Sequence, residues 1–436
     1  MAEKDFYVRA SQSSRSCIHA VNESEMRRSL VTPGIEPMRI CMIAGDNPHY
    51  VHSLVETLAR RDLGIDLIGG DEYQEFHYSA IVRFLNLRGS QNPHVPRLAK
   101  IIRITRYYLR CLWYMVAHNV RVVHMQRFRF GFAEGVILVS LYKLVGKRVV
   151  YTAHNIQPKR KKGMLTRGVY YLIYRCVDHI ICHTERVKAG IISGYAIKGD
   201  KVSVIQHGMN CSVPMTEMSQ AVARQRLGID RDARVLLLFG NVRPYKGYEV
   251  GLEALRHLVS DANSWRLLVV GGVSGNDYSY LRELEEYVDK EGLRSVVEFH
   301  TRHIPDGEIE IYFKAADVLL LPYMEGDFQS GVLLLAYSFG LPVIAADVGS
   351  FGDEVENGVV GYVFRAGDPR DLAAKINDFF RVLQKRPRLR ELVMEYARER
   401  YSWDRISERT VGVYQRVLDN RGRGWKTRNC RFGAEG

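Results

Sequence analysis

Short apolar runs alternate with longer segments of helical periodicity through the first half of the chain. Six runs have the character of buried strands, at residues 39–44, 64–68, 121–124, 148–152, 179–182 and 202–205. Segments long enough for a helix separate most of them. Strands and helices that alternate in this way form a parallel sheet covered on both faces. This half is therefore predicted to be a doubly wound α/β domain.

The same alternation restarts after residue 210. Five further apolar runs are again spaced by helical segments, at 235–239, 266–270, 296–299, 318–321 and 342–345. The stretch 209–224 between the two series is polar and irregular, which is typical of a linker. We therefore expect two successive doubly wound units. No repeat of short period occurs in the sequence, which excludes a solenoid.

Length and composition agree with this organisation. The chain has 436 residues, 46% of them hydrophobic and 25% charged, as expected for a globular protein of two domains. Its seven cysteines are dispersed and contain no CxxC pair, which favours a reducing compartment. No apolar run reaches the ~18 residues of a membrane span, and residues 1–37 lack the apolar core of a signal peptide. We expect a cytoplasmic protein with residues 1–37 as a disordered extension.

Positive charge is concentrated in the first predicted domain. Residues 38–206 contain 26 Lys and Arg against 11 Asp and Glu, whereas residues 207–419 are net acidic. One basic run is the loop Lys159–Lys162. The other follows the predicted helix 97–116, where Arg97, Lys100, Arg103, Arg106 and Arg110 recur every three or four positions. These five share one helix face, and the apolar residues Ile101, Ile104, Tyr108, Leu112 and Met115 are expected mostly off it.

A basic amphipathic helix of this kind suits an anionic membrane surface. Each Lys or Arg near such a surface adds about 1 kcal/mol to the attraction. Nucleic acid attracts the same charges, but the sequence has no RNP aromatic signature, no zinc finger and no clear helix-turn-helix pattern. We therefore favour an anionic membrane surface as a partner and expect no nucleic acid.

Several cofactor motifs are absent from the sequence. The first predicted strand is followed by Gly45–Tyr50 (GDNPHY) instead of the GxGxxG of dinucleotide-binding folds. There is also no Walker A sequence, no HExxH and no Cys/His cluster with zinc spacing. We expect no cofactor and no bound metal.

Two loops that follow predicted strands of the second half carry candidate anion-binding groups. In FGNVRPYKG, Gly240 permits close approach of a ligand, and Arg243 and Lys246 are two cations able to grip a diphosphate. In DFQSG, Gln329, Ser330 and Gly331 open a helix. The free N–H groups and the positive dipole end of a helix start bind anions. Open α/β sheets place ligands at this edge.

Two histidines also stand at the ends of predicted strands. His207 precedes Gly208 at the boundary between the domains, and His154 precedes Asn155 in the basic half. An isolated histidine is more often structural than catalytic. Their position at the edge where ligands bind makes both candidates for the functional site.

Together these segments resemble glycosyltransferase family 4, the large retaining group with the GT-B fold. The resemblance extends from Met38 to about Leu418 and rests on VIQHGMN, FGNVRPYKG, LLLPYMEGDFQSGVLLLAYSFGLPVIAADVG and VENGVVGYVF, in the family order. It implies an α/β fold with two Rossmann-like doubly wound domains facing across a cleft. The expected parts are an acceptor-binding domain at 38–208, a nucleotide-sugar-binding domain at 209–400, a helix at 401–419 that crosses back to the first domain, and a basic tail at 420–436.

The resemblance also implies roles for individual residues. The catalytic set is His154 near the donor sugar, Arg243 and Lys246 on the diphosphate leaving group, and Asp327 on the donor sugar. The further donor-binding residues are Gly240, His207, Gly208, Arg302, Gln329, Ser330 and Gly331, with the base held along His300–Arg302. The family's acceptor turn after the first strand is glycine-rich, and here Asp46, Asn47 and His49 replace it.

Three positions depart from the family pattern. The family's E-x7-E motif has Asp327 as its first acid and Leu335 in place of its second, so the carboxylate that grips the ribose hydroxyls is missing. Arg243 stands two residues later than the commonest family placement. The loop and helix around these positions are intact, which indicates a subfamily variant.

The resemblance implies a retaining, metal-independent glycosyltransferase that uses a UDP- or GDP-sugar. The basic first domain points to a saccharide acceptor that is lipid-linked, at the inner face of the cell membrane, in cell-surface polysaccharide or glycolipid synthesis. Two alternatives remain. One is a GT-B sugar-nucleotide epimerase, and the other is a non-catalytic basic scaffold that binds membrane or nucleic acid.

Overall fold

The structure of the protein is a computed structural model. It describes residues 38–92, 96–156, 163–210, 213–259, 264–273, 277–326, 329–383 and 385–419. The predicted extension, the run Lys159–Lys162, the side chain of Arg97, Asp327 and the basic tail lie outside the described residues. The described chain divides into an N-terminal unit, within 36–182, 188–205 and 404–419, and a C-terminal unit, within 183–187 and 206–403.

The N-terminal unit is built on seven parallel strands in the order β3-β2-β1-β4-β5-β6-β7. The strands are β1 (Arg39–Ile43), β2 (Gly64–Gly70), β3 (Val82–Gly89), β4 (Val122–Met125), β5 (Arg148–Ala153), β6 (His179–Cys182) and β7 (Val202–Val204). The helices are α1 (Pro48–Ala59), α2 (Arg97–Ala117), α3 (Val139–Leu144), α4 (Met164–Cys176) and α5 (Glu185–Tyr195). In the sheet, Ile40 pairs with Ile65 of β2 on one side and with Val122 of β4 on the other. The strand order reverses at β1, and ligands of doubly wound sheets bind at such a point.

The C-terminal unit repeats the architecture with six parallel strands in the order β10-β9-β8-β11-β12-β13. The strands are β8 (Arg234–Phe239), β9 (Trp265–Val270), β10 (Val297–His300), β11 (Val318–Leu321), β12 (Val343–Ala346) and β13 (Gly361–Phe364). The helices are α6 (Gln220–Arg226), α7 (Tyr248–Leu258), α8 (Ser279–Lys290), α9 (Asp306–Ala315), α10 (Gly331–Ser338), α11 (Phe351–Glu354), α12 (Pro369–Leu383) and α13 (Leu389–Tyr401). Apolar side chains of both sheet faces form one continuous core. The prediction of two parallel-sheet α/β domains is confirmed.

The last helix, α14 (Trp403–Asp419), packs within the N-terminal unit from residue 404 onward. The buried ring of His124 on β4 shares a 2.7 Å hydrogen bond between its Nδ1 and the hydroxyl of Tyr414. At the other end of α14, the guanidinium of Arg61 donates to Ser407 Oγ over 2.8 Å.

Two strands and one helix face differ from the sequence prediction. The strands β3 and β13 form sheet edges and were not predicted. On α2 exposure does not separate apolar from basic residues, because Ile101 is 60% exposed and lines the same surface cavity as Arg106 and Arg110. The inward face of α2 is already filled by Tyr107, Cys111, Tyr114 and Met115, so the remaining apolar side chains face outward.

The predicted linker 209–224 is shorter in the structure. Helix α6 begins at Gln220, where the hydroxyl of Ser219 caps it by accepting from the N–H of Val222 over 3.3 Å. Serine is a favoured residue at this capping position. Among the described residues, no helix is both long enough and apolar enough to cross a bilayer.

Candidate functional site

The first candidate site lies in the C-terminal unit at Gly240, directly after β8. Gly240 has φ +110°, a conformation that L side chains rarely adopt. A Cβ added here would collide with the Nζ of Lys246, and the same point lies 3.5 Å from Val332 Cγ2 in the first turn of α10. The glycine therefore lets the ammonium group of Lys246 and the start of α10 approach each other.

Lys246 is a buried cation. Its side chain is 6% exposed, and its Nζ lies 3.4 Å from the carbonyl of Phe239 and 5.3 Å from the ring centre of Tyr323. No ion pair joins it to a carboxylate in the described part of the chain. Burial lowers the pKa of Lys246 to about 8. A buried ammonium without a carboxylate is costly, so this position suits a site whose negative charge arrives with a ligand.

The loop that carries Lys246 is tightly shaped. Pro244–Lys246 form a single 3₁₀ turn that ends at Gly247, where φ is +65° and a Cβ would collide with the carbonyl of Pro322 after β11. Arg243 precedes the turn in an extended conformation and is partly exposed. The turn therefore fixes the spacing of the two cations that the sequence singled out.

The start of α10 faces the same neighbourhood. Ser330 is the N-cap residue and is 2% exposed, and its hydroxyl accepts from the N–H of Leu333 over 3.4 Å. At Gly331 a Cβ would meet no other atom within 4 Å, so the space beside this first turn is open. Free N–H groups and the positive dipole end of a helix at an open position attract anions. Leu335, one turn further, is buried in the core.

The segment His207–Gly208 contacts the residue just before this helix. The backbone N–H of His207 donates to Gln329 Oε1 over 2.7 Å, and its Nδ1 lies 2.8 Å from the carbonyl of Gly208. Burial lowers the pKa of His207 to about 3, so the ring is neutral near pH 7. A Cβ at Gly208 would collide with the indole of Trp403. The structure therefore brings His207, Gly208, Gln329 and Ser330 together.

Arg302 lies at the end of β10. Its guanidinium forms a surface ion pair with Glu308. Its backbone is close to Gly272, after β9, with the Arg302 carbonyl carbon 3.4 Å from a Cβ placed there. The backbone of this segment therefore belongs to the strand-end edge, while its side chain pairs at the surface.

The N-terminal unit holds a cavity of about 770 Å³ at the carboxyl ends of β1, β4 and β5. Asp46 and Asn47 of the expected acceptor side line it, together with His154. Asp46 forms ion pairs with Arg127 and, at 3.1 Å, with Arg129. Asn47 caps α1 by accepting from the N–H of Tyr50 over 3.2 Å. The third acceptor-side residue, His49, instead packs on Phe76, with ring centres 5.2 Å apart, and does not line the cavity.

Several cavity residues were not singled out from the sequence. They are Tyr50, Gln126, Arg127, Arg129, Tyr151 and Tyr170. The ring of Tyr50 meets that of His154 edge-on at 5.5 Å. Arg127 and Arg129 directly follow β4, so the strand-end argument that drew attention to His154 also applies to them.

Comparison with known protein families gives a separate match for each half of the chain. The glycosyltransferase family 4 domain matches residues 49–213, and the family of glycosyl transferases group 1 matches residues 219–400. D-inositol 3-phosphate glycosyltransferase of Streptomyces scabiei is 29% identical over 252 residues, which cover 56% of this chain and 55% of the relative. The enzyme of the same name from Thermobispora bispora is 30% identical over 248 residues, covering 56% of each chain. The chain thus matches little more than half the length of these relatives.

Solved structures share the fold. A glycosyltransferase from Rickettsia africae superposes with a TM-score of 0.71 at 16% identity, covering 88% of this chain and 100% of the other. Sucrose-phosphate synthase from Thermosynechococcus elongatus gives 0.69 at 18% identity with the same coverage. Anabaena HepE in complex with UDP gives 0.67 at 17% identity, covering 86% and 99%. By its two matched domains and its fold, the chain belongs to the GT-B glycosyltransferases of the family 4 type.

Proposed function

We propose that the protein is a retaining glycosyltransferase that moves a sugar from a nucleoside diphosphate sugar to a saccharide acceptor. The observation that carries the proposal is the buried ammonium of Lys246, without a carboxylate partner among the described residues, beside Gly240 and the start of α10. A diphosphate gains negative charge as it leaves the sugar. Fixed cations and helix N–H groups in a water-poor site stabilise such charge most effectively.

The residues divide the work as follows. Lys246 and Arg243 neutralise the diphosphate, and the backbone N–H groups of Ser330 and Gly331 bind its oxygens. The family resemblance assigns Asp327 to the donor sugar. Because these groups supply positive potential, no metal held by the protein is required. UDP or GDP is the expected carrier, and UDP is the nucleotide bound in the similarly folded HepE.

The chemical step exchanges two bonds at the anomeric carbon. The bond from this carbon to the leaving phosphate oxygen breaks, and a bond to the acceptor oxygen forms on the same face of the sugar. The acceptor hydroxyl gives its proton to the leaving phosphate, which makes a separate protein base unnecessary. His154 keeps the role that the family resemblance implies, near the donor sugar.

The N-terminal unit supplies the features of an acceptor-binding domain. Its cavity of about 770 Å³ has polar and aromatic lining residues suited to a saccharide. The outer face of α2 exposes Ile102, Leu109 and Trp113 among Arg106 and Arg110. A mixture of exposed apolar and basic side chains on one helix is typical of peripheral binding to an anionic membrane. We therefore infer a lipid-linked acceptor at the inner face of the membrane, in polysaccharide or glycolipid synthesis.

A nucleotide-binding experiment tests the donor site. Thermal unfolding is measured with UDP, GDP, ADP and dTDP for the wild type, Lys246→Ala and Lys290→Ala, the last a control at an exposed lysine of the same unit. A nucleotide at 100 times its Kd adds ~2.7 kcal/mol to stability. One nucleotide should stabilise the wild type and Lys290→Ala, and Lys246→Ala should lose at least ten-fold in affinity.

The remaining outcomes separate the alternatives. Stabilisation by no nucleotide overturns the proposal and favours the basic scaffold. If the nucleotide stabilises Lys246→Ala as much as the wild type, Lys246 is not part of the nucleotide-binding site. Conversion of a UDP-sugar into another UDP-sugar without an acceptor identifies an epimerase.

A further inference from the structure

A second cavity of the N-terminal unit, which we call the basic cavity, is lined by four cations and one carboxylate. It has a volume of about 230 Å³. The cations are Arg88, Lys100, Arg103 and Arg129, and the carboxylate is Glu134. A water molecule takes roughly 30 Å³ of the liquid, so the space holds a group several times larger.

The carboxylate of Glu134 is already occupied by the protein. Its Oε1 accepts from the hydroxyl of Tyr108 over 2.7 Å. Its Oε2 accepts from the backbone N–H groups of Arg129 and, over 3.2 Å, of Phe130. Glu134 therefore holds the chain after β4 in place, and its lone pairs are largely committed to that task.

The cations retain unused hydrogen-bonding capacity. Arg88 is 9% exposed and forms an ion pair with Glu72 over 3.7 Å, which is beyond hydrogen-bond distance, so its buried Nη1 has no hydrogen-bond partner among the described residues. Its Nη2 donates to the carbonyl of Ala44 over 2.9 Å, which fixes the guanidinium. In the described part of the chain, no ion pair joins Lys100 or Arg103 to a carboxylate.

Arg129 connects the basic cavity to the large one, because it lines both. Its Nη2 lies 3.1 Å from Asp46 Oδ1, and its Nη1 donates to Gln91. Burial, and then the neighbouring charge of Arg88, lowers the pKa of Arg129. Positive charges gathered in a partly buried space repel each other unless an anion joins them.

We propose that the basic cavity binds a phosphate group of the acceptor while the large cavity binds its saccharide or polyol part. The assignment to the acceptor rests on the proposed function. Guanidinium groups bind phosphate oxygens through paired, charge-assisted hydrogen bonds. The phosphate belongs either to a lipid phosphate or to a soluble phosphorylated polyol. The exposed apolar face of α2 is consistent with the first source, and the D-inositol 3-phosphate glycosyltransferases among the relatives with the second.

The test uses two substitutions one helical turn apart. Arg103→Gln removes a cation of the basic cavity, and Arg106→Gln removes an equal charge from the exposed outer face of α2. Both substitutions weaken a general attraction to anions to the same extent, whereas only Arg103→Gln changes the basic cavity. Lys100→Gln, at an exposed lining residue, repeats the test should Arg103→Gln lower the unfolding temperature.

Binding is measured by calorimetry on the full chain with UDP present throughout. The probes are inorganic phosphate, D-inositol 3-phosphate against inositol, and farnesyl phosphate against farnesol in non-ionic micelles. We expect the wild type to bind one phosphorylated probe at least ten-fold more tightly than its partner without phosphate. Arg103→Gln should reduce that preference about ten-fold, and Arg106→Gln should preserve it.

Each outcome either supports or overturns the proposed phosphate site. A preference for the inositol phosphate or for farnesyl phosphate supports the phosphate site and names its source. The absence of any preference in the wild type overturns the proposal, as does an equal loss in Arg103→Gln and Arg106→Gln. The affinity for UDP, measured in the same samples, reports separately on the donor site, so failure of the proposed function is distinguishable.

Discussion

At the scale of single residues, the titration of Lys246 controls the charge of the proposed donor site. Burial lowers the pKa of its ammonium to about 8 in the free protein. A bound diphosphate favours the charged form and raises that pKa. Above pH 8, binding therefore requires uptake of a proton, so the affinity falls as the pH rises, by up to ten-fold per unit. Below pH 7 the charge is already present and this dependence disappears.

Titration of the preferred nucleotide between pH 7 and pH 9.5 checks this expectation. Lys290→Ala should reproduce the wild-type profile, because the side chain of Lys290 is exposed in the free protein. Lys246→Ala should bind weakly with a flat profile. A flat profile in the wild type would mean that Lys246 does not meet the diphosphate.

Gly240 gives a second prediction at this scale. Gly240→Ala introduces strain at φ +110° and forces the Nζ of Lys246 to move. Gly228→Ala is the matched control, since Gly228 also has a positive φ, +67°, but a Cβ there meets nothing within 4 Å. Both variants should lose roughly 1–2 kcal/mol of stability from backbone strain. Only Gly240→Ala should also lose nucleotide affinity, by at least ten-fold in a binding titration, and an equal affinity for both variants contradicts the site geometry.

At the scale of elements, the buried strands were predictable, whereas two of the four edge strands, β3 and β13, were not. A central strand such as β8 is a continuous apolar run, as both of its faces are covered. β3 contains Arg83, Asn86 and Arg88, and most of its residues are partly exposed, so hydrophobicity does not mark it. β13 is four residues long with two of them partly exposed. Edge strands are commonly short or polar, and the polar residues of β3 explain its omission.

The same limit applies to the candidate sites. The sequence predicts Gly240, Lys246 and Ser330 because the glycine and the cations stand in one local pattern and the helix cap stands in another. The basic cavity draws Arg88 from β3, Arg103 from α2 and Arg129 from the segment after β4. Only the sheet order and the packing of α2 bring these three residues together, so no local sequence pattern predicts them.

Helix α2 carries the prediction that belongs to this scale. Trp113 is 66% exposed on its outer face. Trp113→Ser should reduce binding to vesicles of phosphatidylglycerol and phosphatidylcholine at least ten-fold, since burial of a large apolar side chain contributes about 1.5–3 kcal/mol. Tyr278→Ser, at a 51% exposed aromatic residue of the C-terminal unit, is the control and should leave binding unchanged. Co-sedimentation measures both, and an equal effect of the two substitutions rejects α2 as the membrane-binding element.

At the scale of the whole molecule, the two units carry different chemistry. The N-terminal unit combines the net positive charge, the exposed apolar helix and the two cavities. The C-terminal unit combines a net negative charge with the tightly built cationic loop at Gly240 and Lys246. A general attraction to anions would place the cations on any surface. Lys246 is instead buried in the acidic unit without a carboxylate partner among the described residues, which indicates recognition of one specific anionic group.

Stereochemistry tests the complete protein as a transferase. Retention requires that the new bond forms on the face from which the diphosphate departs, and water can replace the acceptor when none is present. Slow hydrolysis of an α-configured donor sugar should therefore first release the α anomer, detected by proton NMR before the free sugar equilibrates. Lys246→Ala should reduce the rate at least a hundred-fold, because the leaving group loses a fixed cation that stabilises the transition state by about 3 kcal/mol, whereas Lys290→Ala should match the wild type. Initial release of the β anomer would show an inverting mechanism and remove the leaving phosphate from its role as proton acceptor.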